Sequence, residues 1–545
     1  MVLQGSGRLL VLVRDQPFLA LLQPEPVITG SGYTLRPLSP EQLAPGFDSH
    51  APGDYWLLAE PVSAATVYPT PWDRAHAFAA GSGYAHFVEP DVLHVRAPPP
   101  APAAIAKDGL PGGDPHWPPY TAVSPAWHLG GVFADFDDVR NIAKGEGVWI
   151  AHLDTGYRPD MGSNPIHLHP ELGKDFWSHQ PVPVDDGSGL FPGHGTATAA
   201  LLAGGEVTLD FAEPYTGVIG GAPEAEVIPI RISNSVIHLW TASMAQGIDL
   251  ARIRNCDVAS ISHGGVPSVA WADAVNKAYD SGVVIVGASG DSIYLDVIDL
   301  ATRYTVYPSA FNRVITALGA TYEQKPYITT DLGEMQECWG PDPVMAKAIC
   351  GYSPNILWMD YKKPPLGFRM RGAGTSVTTP QVAAACALWL QLYQQDVATR
   401  DWRRIEAVRH ALFESADKSV PDYDQKTMGQ GILRVPALLD GKLAKEAIAK
   451  ADATGASQSD SVESVLGAIW DLLTGAPPPG SEAEEQMYKT ETAQILFSTT
   501  NRSLRALPRL VAAGVVSASA DRARYRQMLH AEVASVPLRR RLPVL

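Results

Sequence analysis

Asp154, His194 and Ser376 have the residue types and local settings of a reaction centre. Ser376 lies in RGAGTSVTTPQVAAACALWL, residues 371–390, where Gly372 and Gly374 allow a close backbone approach and Val382 to Leu390 reads as a buried helix. Pro380 suits the first turn of that helix. A serine there stands beside free backbone N–H groups, a good position for a nucleophile whose attack builds an oxyanion. Upstream, GVWIAHLDTGYRPD (147–160) reads as a buried strand ending on Asp154, and open α/β sheets place their chemistry at such strand tips. GHGTATAALLAGG (193–205) sets His194 between glycines at the entry to a small-residue helix. A serine hydroxyl is a weak nucleophile until an imidazole takes its proton, and the imidazole needs a carboxylate to fix its tautomer. Taken alone, the serine stretch reads equally as a glycine turn entering a core helix; the acid and the imidazole favour acyl transfer.

The blocks LDTG, GHGT and GTSVTTPQVA resemble, in this order, the three signatures of the subtilisin-like serine peptidases, the subtilase family. Further similar stretches are HPEL (169–172), SGVVIVGASGD (281–291), YPSAFNRVITALGA (307–320) and GQGILRVPALL (429–439), so the resemblance spans roughly residues 114–440. It implies that Ser376 attacks a peptide carbonyl, His194 carries the proton and Asp154 orients His194. It also implies an oxyanion hole formed by the Ser376 N–H and a second donor. The family normally has asparagine for that donor, and the alignment puts Asp291 there. An ionised carboxylate has no proton to donate, so Asp291 is expected to work protonated, unless the alignment slips and Ser289 or Ser292 takes the place. Substrate is expected to add as a strand along Ser262, His263 and Gly264. His263 stands where the family usually has an apolar residue, which makes either a polar pocket wall or a histidine turned into the core. Val306 falls at the pocket floor and implies a shallow pocket for small or mid-sized apolar side chains. No cofactor is required; a structural calcium is possible at the Asp185-Asp186 loop, and no metal is assigned to the His167, His169 and Glu171 group.

Apolar strands at 147–153, 226–232, 257–262 and 283–288 alternate with helical stretches at 194–204, 240–254 and 269–281. That alternation predicts an α/β fold, a mostly parallel sheet with helices on both faces. Residues 1–97 read as a small α+β domain with strands at GRLLVLV, FLALLQ and DYWLLAEP, a helix after Pro71, and the stretch GYAHFVEPDVLHV. The resemblance implies a pro-segment; an unrelated interaction domain is the alternative. Residues 98–113 are a Pro/Gly-rich linker, the expected place of any maturation cut. Residues 114–440 form the peptidase domain. Residues 441–545 read as a helical C-terminal extension, either packed on the catalytic core or serving as a docking region for a partner protein.

A net charge of −16, with 46% hydrophobic and 18% charged residues, fits a globular chain and argues against nucleic-acid binding, which needs clustered cations. No apolar run reaches membrane-spanning length, and Leu9 to Val13 is too short for a signal-peptide core, so a cytoplasmic protein is expected. The four cysteines lack metal-ligand spacing; Cys256 and Cys386 read as buried thiols, and Cys338 and Cys350 as free unless oxidised. The expected function is a serine endopeptidase acting on protein or peptide substrates. Two rivals remain: a pseudoprotease that only holds peptide, and a protease switched on by a partner.

Overall fold

The structure, a computed structural model, describes residues 2–14, 27–28, 32–39, 55–63, 67–95, 117–118, 124–189, 191–210, 214–236, 238–293, 304–331, 333–397, 399–475, 481–512, 515–516 and 519–544. Its centre is a seven-stranded parallel sheet in the order Ala348–Tyr352, Ile315–Ala320, Val284–Ala288, Val258–Ile261, Trp149–Asp154, Glu226–Arg231, Lys174–Asp175. Successive residues of each strand serve opposite faces, as the two-residue period of a strand requires. Ile150 and Val258 join one core with the helices His194–Ala203 and Thr375–Tyr393. Ala151, Leu153 and Ala259 join the other, with Thr241–Ile253 and Val269–Asp280. Both faces being covered explains why these strands are apolar throughout rather than alternating.

The N-terminal block is an antiparallel sheet in which Phe87–Val95, Val2–Val13, Tyr55–Pro61, Tyr33–Pro37 and Val27–Ile28 are neighbours in that order, with one helix, Pro71–Gly81. The sheet continues into the catalytic chain, because His238–Trp240 pairs with Phe87–Val95 and Ser233–Ser235 pairs with His238–Trp240. FLALLQ and the linker 98–113 lie outside the described residues.

Two buried carboxylates tie this sheet to the catalytic helices. Glu89 Oε1 accepts from the Ala270 N–H (2.9 Å) and the Ser268 hydroxyl (2.8 Å), and Asp91 Oδ1 accepts from the Ala242 N–H (2.9 Å). First-turn N–H groups have no partner inside their own helix, and a carboxylate supplies one while facing the positive end of the helix dipole. Asp91 is further paired with Arg8 at 2.5 Å.

The C-terminal region is helical as predicted, but it packs on the N-terminal sheet as well as on the catalytic core. Gly441–Thr454 lies on Trp402–Ser415, with Ala444, Ala447 and Ala451 buried in the catalytic core. Farther on, helix Glu482–Ser498 and the turn before Val536–Arg541 grip the N-terminal helix. Trp72 donates to Gln494 (2.9 Å), His76 meets Glu491 at 3.1 Å, and Asp73 accepts from the Val536 N–H (2.8 Å). Gln494 also donates to the Pro267 carbonyl at 3.2 Å, and Phe497 meets Tyr307 edge-on, so one helix touches both units.

Burial raises the Glu89 carboxyl to about 7 against the pull of its hydrogen bonds. An acid raised in the folded state gives stability that is complete below its unfolded value near 4.5 and is lost as pH climbs toward 7. Asp91, also raised by burial, adds to the trend. Folding stability, and with it the melting temperature of the full chain, should therefore fall across this window, with Glu89 contributing a loss on the order of 3 kcal/mol. Glu89→Gln should flatten the fall; equal slopes in the two proteins would show that Glu89 does not drive it.

Candidate active site

Asp154 closes its strand at the sheet's carboxyl edge and is fully buried. Its Oδ1 accepts from the Thr155 N–H (2.7 Å) and from His194 Nδ1 (2.7 Å). Its Oδ2 accepts from the Thr198 hydroxyl (3.1 Å), which is itself 2.9 Å from His152 Nε2. Burial would raise the Asp154 carboxyl, but the imidazoles of His194 and His263 and the bond from His194 outweigh it and hold it below its ordinary value. The carboxylate is thus charged, and a charged carboxylate fixes His194 with its proton on Nδ1 and Nε2 free to accept.

A second carboxylate clips together the loops that carry the acid and the imidazole. Asp185 Oδ2 accepts from the Thr155 hydroxyl (3.0 Å) and the Gly193 N–H (2.7 Å), while Oδ1 accepts from the Gly187 N–H (2.8 Å). Asp186 is turned to Arg231 at 3.1 Å and to the Ser188 N–H. In the loop considered for calcium, both oxygens of Asp185 and Oδ1 of Asp186 thus accept from protein donors. His167 and His169 face Glu224 and Glu226.

Ser376 lies in the first turn of Thr375–Tyr393, after Gly374, whose φ of 83° favours glycine. Pro380 is not in the first turn as expected; it stands inside the helix. A proline there cannot donate to the carbonyl four residues back, which is that of Ser376. Ser262 supplies the missing donor: its hydroxyl bonds the Ser376 carbonyl at 3.0 Å, and the Ser376 hydroxyl bonds the Ser262 carbonyl at 3.4 Å. Among the described residues, the Ser376 hydroxyl makes no hydrogen bond to His194.

The other expected residues fall around this nucleus. Asp291 Oδ1 accepts from the Thr375 N–H (2.8 Å), next to Ser376. The Ser289 hydroxyl turns to the Gly290 carbonyl. Gly265 and Tyr307 exchange backbone hydrogen bonds at 2.8 and 3.1 Å, bringing Val306 over Gly264. A Cβ built on Gly264 would stand 2.2 Å from Val306 Cγ2, and one on Gly290 would stand 2.8 Å from Val306 Cγ1. His263 is not a pocket wall. It is buried, its Nε2 is 2.7 Å from the Ser233 hydroxyl, and its Nδ1 points at Asp154 Oδ2 from 3.8 Å. Burial pushes His263 down to about 4, so it is neutral near pH 7. Trp358, which the sequence reading did not single out, covers His194 edge-on with ring centroids 5.5 Å apart. All four cysteines are buried free thiols, and burial pushes Cys256 and Cys386 up to about 12.

A profile described as the subtilase family matches residues 145–431, the segment that holds this geometry. The chain is a subtilase. Subtilisin DY of Bacillus licheniformis is 30% identical over 277 residues, covering 50% of this chain and 87% of that protein. Thermitase of Thermoactinomyces vulgaris is 27% identical over 283 residues, covering 51% and 84%. The intracellular serine protease of Paenibacillus polymyxa is 28% identical over 267 residues, covering 47% and 70%. Among solved structures, the prenylagaramide maturation protease PagA is similar at 18% identity and a TM-score of 0.41, covering 58% of this chain and 97% of that one. As a subtilase the protein is a subtilisin-like serine peptidase, and its substrates are proteins or peptides.

The exchange between Pro380 and Ser262 can be tested by stability. Ser262→Ala should lower stability by about 1–3 kcal/mol, because it strands the Ser376 carbonyl. Pro380→Ala, which returns an N–H to that carbonyl, should recover much of the loss in the double variant. Denaturant melts that show additive losses would refute the exchange.

Proposed function

We propose that this subtilase is an endopeptidase in which Ser376 is the nucleophile, His194 the general base and then acid, and Asp154 the group that orients His194. The observation that carries the reading is the buried 2.7 Å contact between Asp154 and His194, which holds the imidazole in the tautomer able to take the Ser376 proton. Attack on a peptide carbonyl would form an acyl-enzyme on Ser376 Oγ and release the amine, protonated by His194; water would then free the acid product and restore the hydroxyl. The reading requires the Ser376 hydroxyl to leave the Ser262 carbonyl and bond His194 Nε2. The chain divides for this purpose into an N-terminal inhibitor-like domain (1–97), a linker cut during maturation (98–113), the peptidase (114–440) and a helical extension (441–545) assigned to holding the N-terminal domain. The test is full-length protein incubated with casein beside Ser376→Ala, with every cut mapped. Loss of at least about a thousand-fold in the variant, together with linker cuts only where the serine is present, supports the reading. Equal cleavage in both proteins overturns it.

Ser262, His263 and Gly264 form the backbone rail for substrate in this reading, and Val306 fills the space between Gly264 and Gly290 where a side chain would enter. Glycine or alanine is then favoured before the cut bond. Val306→Gly should admit leucine and phenylalanine in a peptide-library profile, and an unchanged profile would remove Val306 from the pocket.

Asp291 is proposed as the second oxyanion donor in its protonated form. Its Oδ1 accepts from the Thr375 N–H, which holds the carboxyl beside Ser376. Its register partner Glu337 is a buried acid, and burial raises that carboxyl well above its ordinary value. Turnover should then decline as Asp291 ionises with rising pH, and Asp291→Asn should remove the decline and raise neutral turnover up to roughly a hundred-fold. A pH profile that is the same in both proteins would exclude the role.

A further inference from the structure

His263 Nδ1 is a buried ring nitrogen with no hydrogen-bond partner, in a residue 2% exposed. Its Nε2 lies 2.7 Å from the Ser233 hydroxyl and its Nδ1 faces a carboxylate oxygen of Asp154 from 3.8 Å; with the ring proton on Nε2, the Nδ1 lone pair is directed at that oxygen. In that tautomer a cation between the ring nitrogen and the carboxylate would take up both lone pairs. His194 Nδ1 completes the group: one ligand atom each from Asp154, His194 and His263 lies within 4.8 Å of the others. Two imidazoles and a carboxylate are a donor set for zinc, with a fourth position left for water. Ser233, held on the far ring nitrogen of His263, is the kind of outer partner that fixes a ligating imidazole.

We propose that Asp154, His194 and His263 form an inhibitory zinc site, in which the metal replaces the proton shared by Asp154 and His194. Binding through His194 Nδ1 uses that lone pair, so the ring proton passes by way of solvent from Nδ1 to Nε2. No net proton is released, and Nε2 no longer accepts from Ser376. The peptidase is silenced without any change to the serine, and a chelator restores it. Magnesium and calcium, which prefer oxygen ligands, do not substitute. The inhibitory consequence rests on the proposed roles of Ser376 and His194; the metal binding does not.

The experiment separates the two. Full-length Ser376→Ala, which cannot cut itself, is dialysed to equilibrium against zinc chloride, and bound metal is measured beside Ser376→Ala/His263→Leu and Ser376→Ala/His263→Asn. The expected result is one equivalent fewer in both double variants, each checked for the parent's circular dichroism spectrum. Carboxylates near His167 and His169 are unchanged in all three and cancel from the difference. Wild-type protein is then labelled at Ser376 with a fluorophosphonate. Low-micromolar zinc should block labelling, chelator should restore it, and His263→Leu should raise the blocking concentration at least about tenfold. Equal zinc content in the folded parent and double variants overturns the site. Failure of wild-type protein to label without metal overturns the proposed peptidase roles and leaves the dialysis result standing.

Discussion

A charged carboxylate with no exposed surface is the constraint around which this molecule is built. Asp154 is taken out of water at a cost that only hydrogen bonds can offset, and the Thr155 N–H, the Thr198 hydroxyl and His194 provide them. One donor follows the strand directly and two belong to the helix His194–Ala203, so the carboxylate is stable only when strand and histidine helix meet in one register. Asp185 secures the same meeting from outside by bonding Thr155 and Gly193 together. The chemistry and the packing of this edge are therefore one problem with one solution.

The serine side is fixed by a different device. Pro380 leaves the Ser376 carbonyl without its helical partner, and Ser262 takes the vacancy from the neighbouring strand end. The helix that carries the serine is thereby attached to the rail along which a peptide would lie. Asp291 adds a second attachment at Thr375. A change on either side of the groove is felt at the serine through these bonds.

The parts of this arrangement that were legible in the sequence are those written locally. Asp154 ends an apolar run, His194 and Ser376 sit beside glycines at helix entries, and four of the five inner strands of the sheet were visible as apolar segments. Thr198 and His152 were within reach of the same reasoning, since Thr198 is one helical turn from His194 and His152 is on the same strand face as Asp154. Pro380 misled because proline preference marks a first turn, while the compensation that lets it sit deeper comes from Ser262, 114 residues from the Ser376 carbonyl it bonds. The direction of His263 was equally out of reach, because its neighbours Ser233 and Asp154 come from other strands. Helix Glu482–Ser498 falls within the helical extension read from the sequence, but nothing local in the sequence tells that Glu491 and Gln494 are buried against the N-terminal helix and its surroundings.

The grip of the last helices on Trp72, Asp73 and His76 brings the two ends of the polypeptide together on one body. Under the proposed maturation, backbone scission and physical departure of the first domain would therefore be separate events. A nicked molecule would travel as a single particle in a native separation and show two bands only under denaturing conditions. Relief of inhibition, where it occurs, would be timed by the loosening of a three-way packing arrangement rather than by the cut itself.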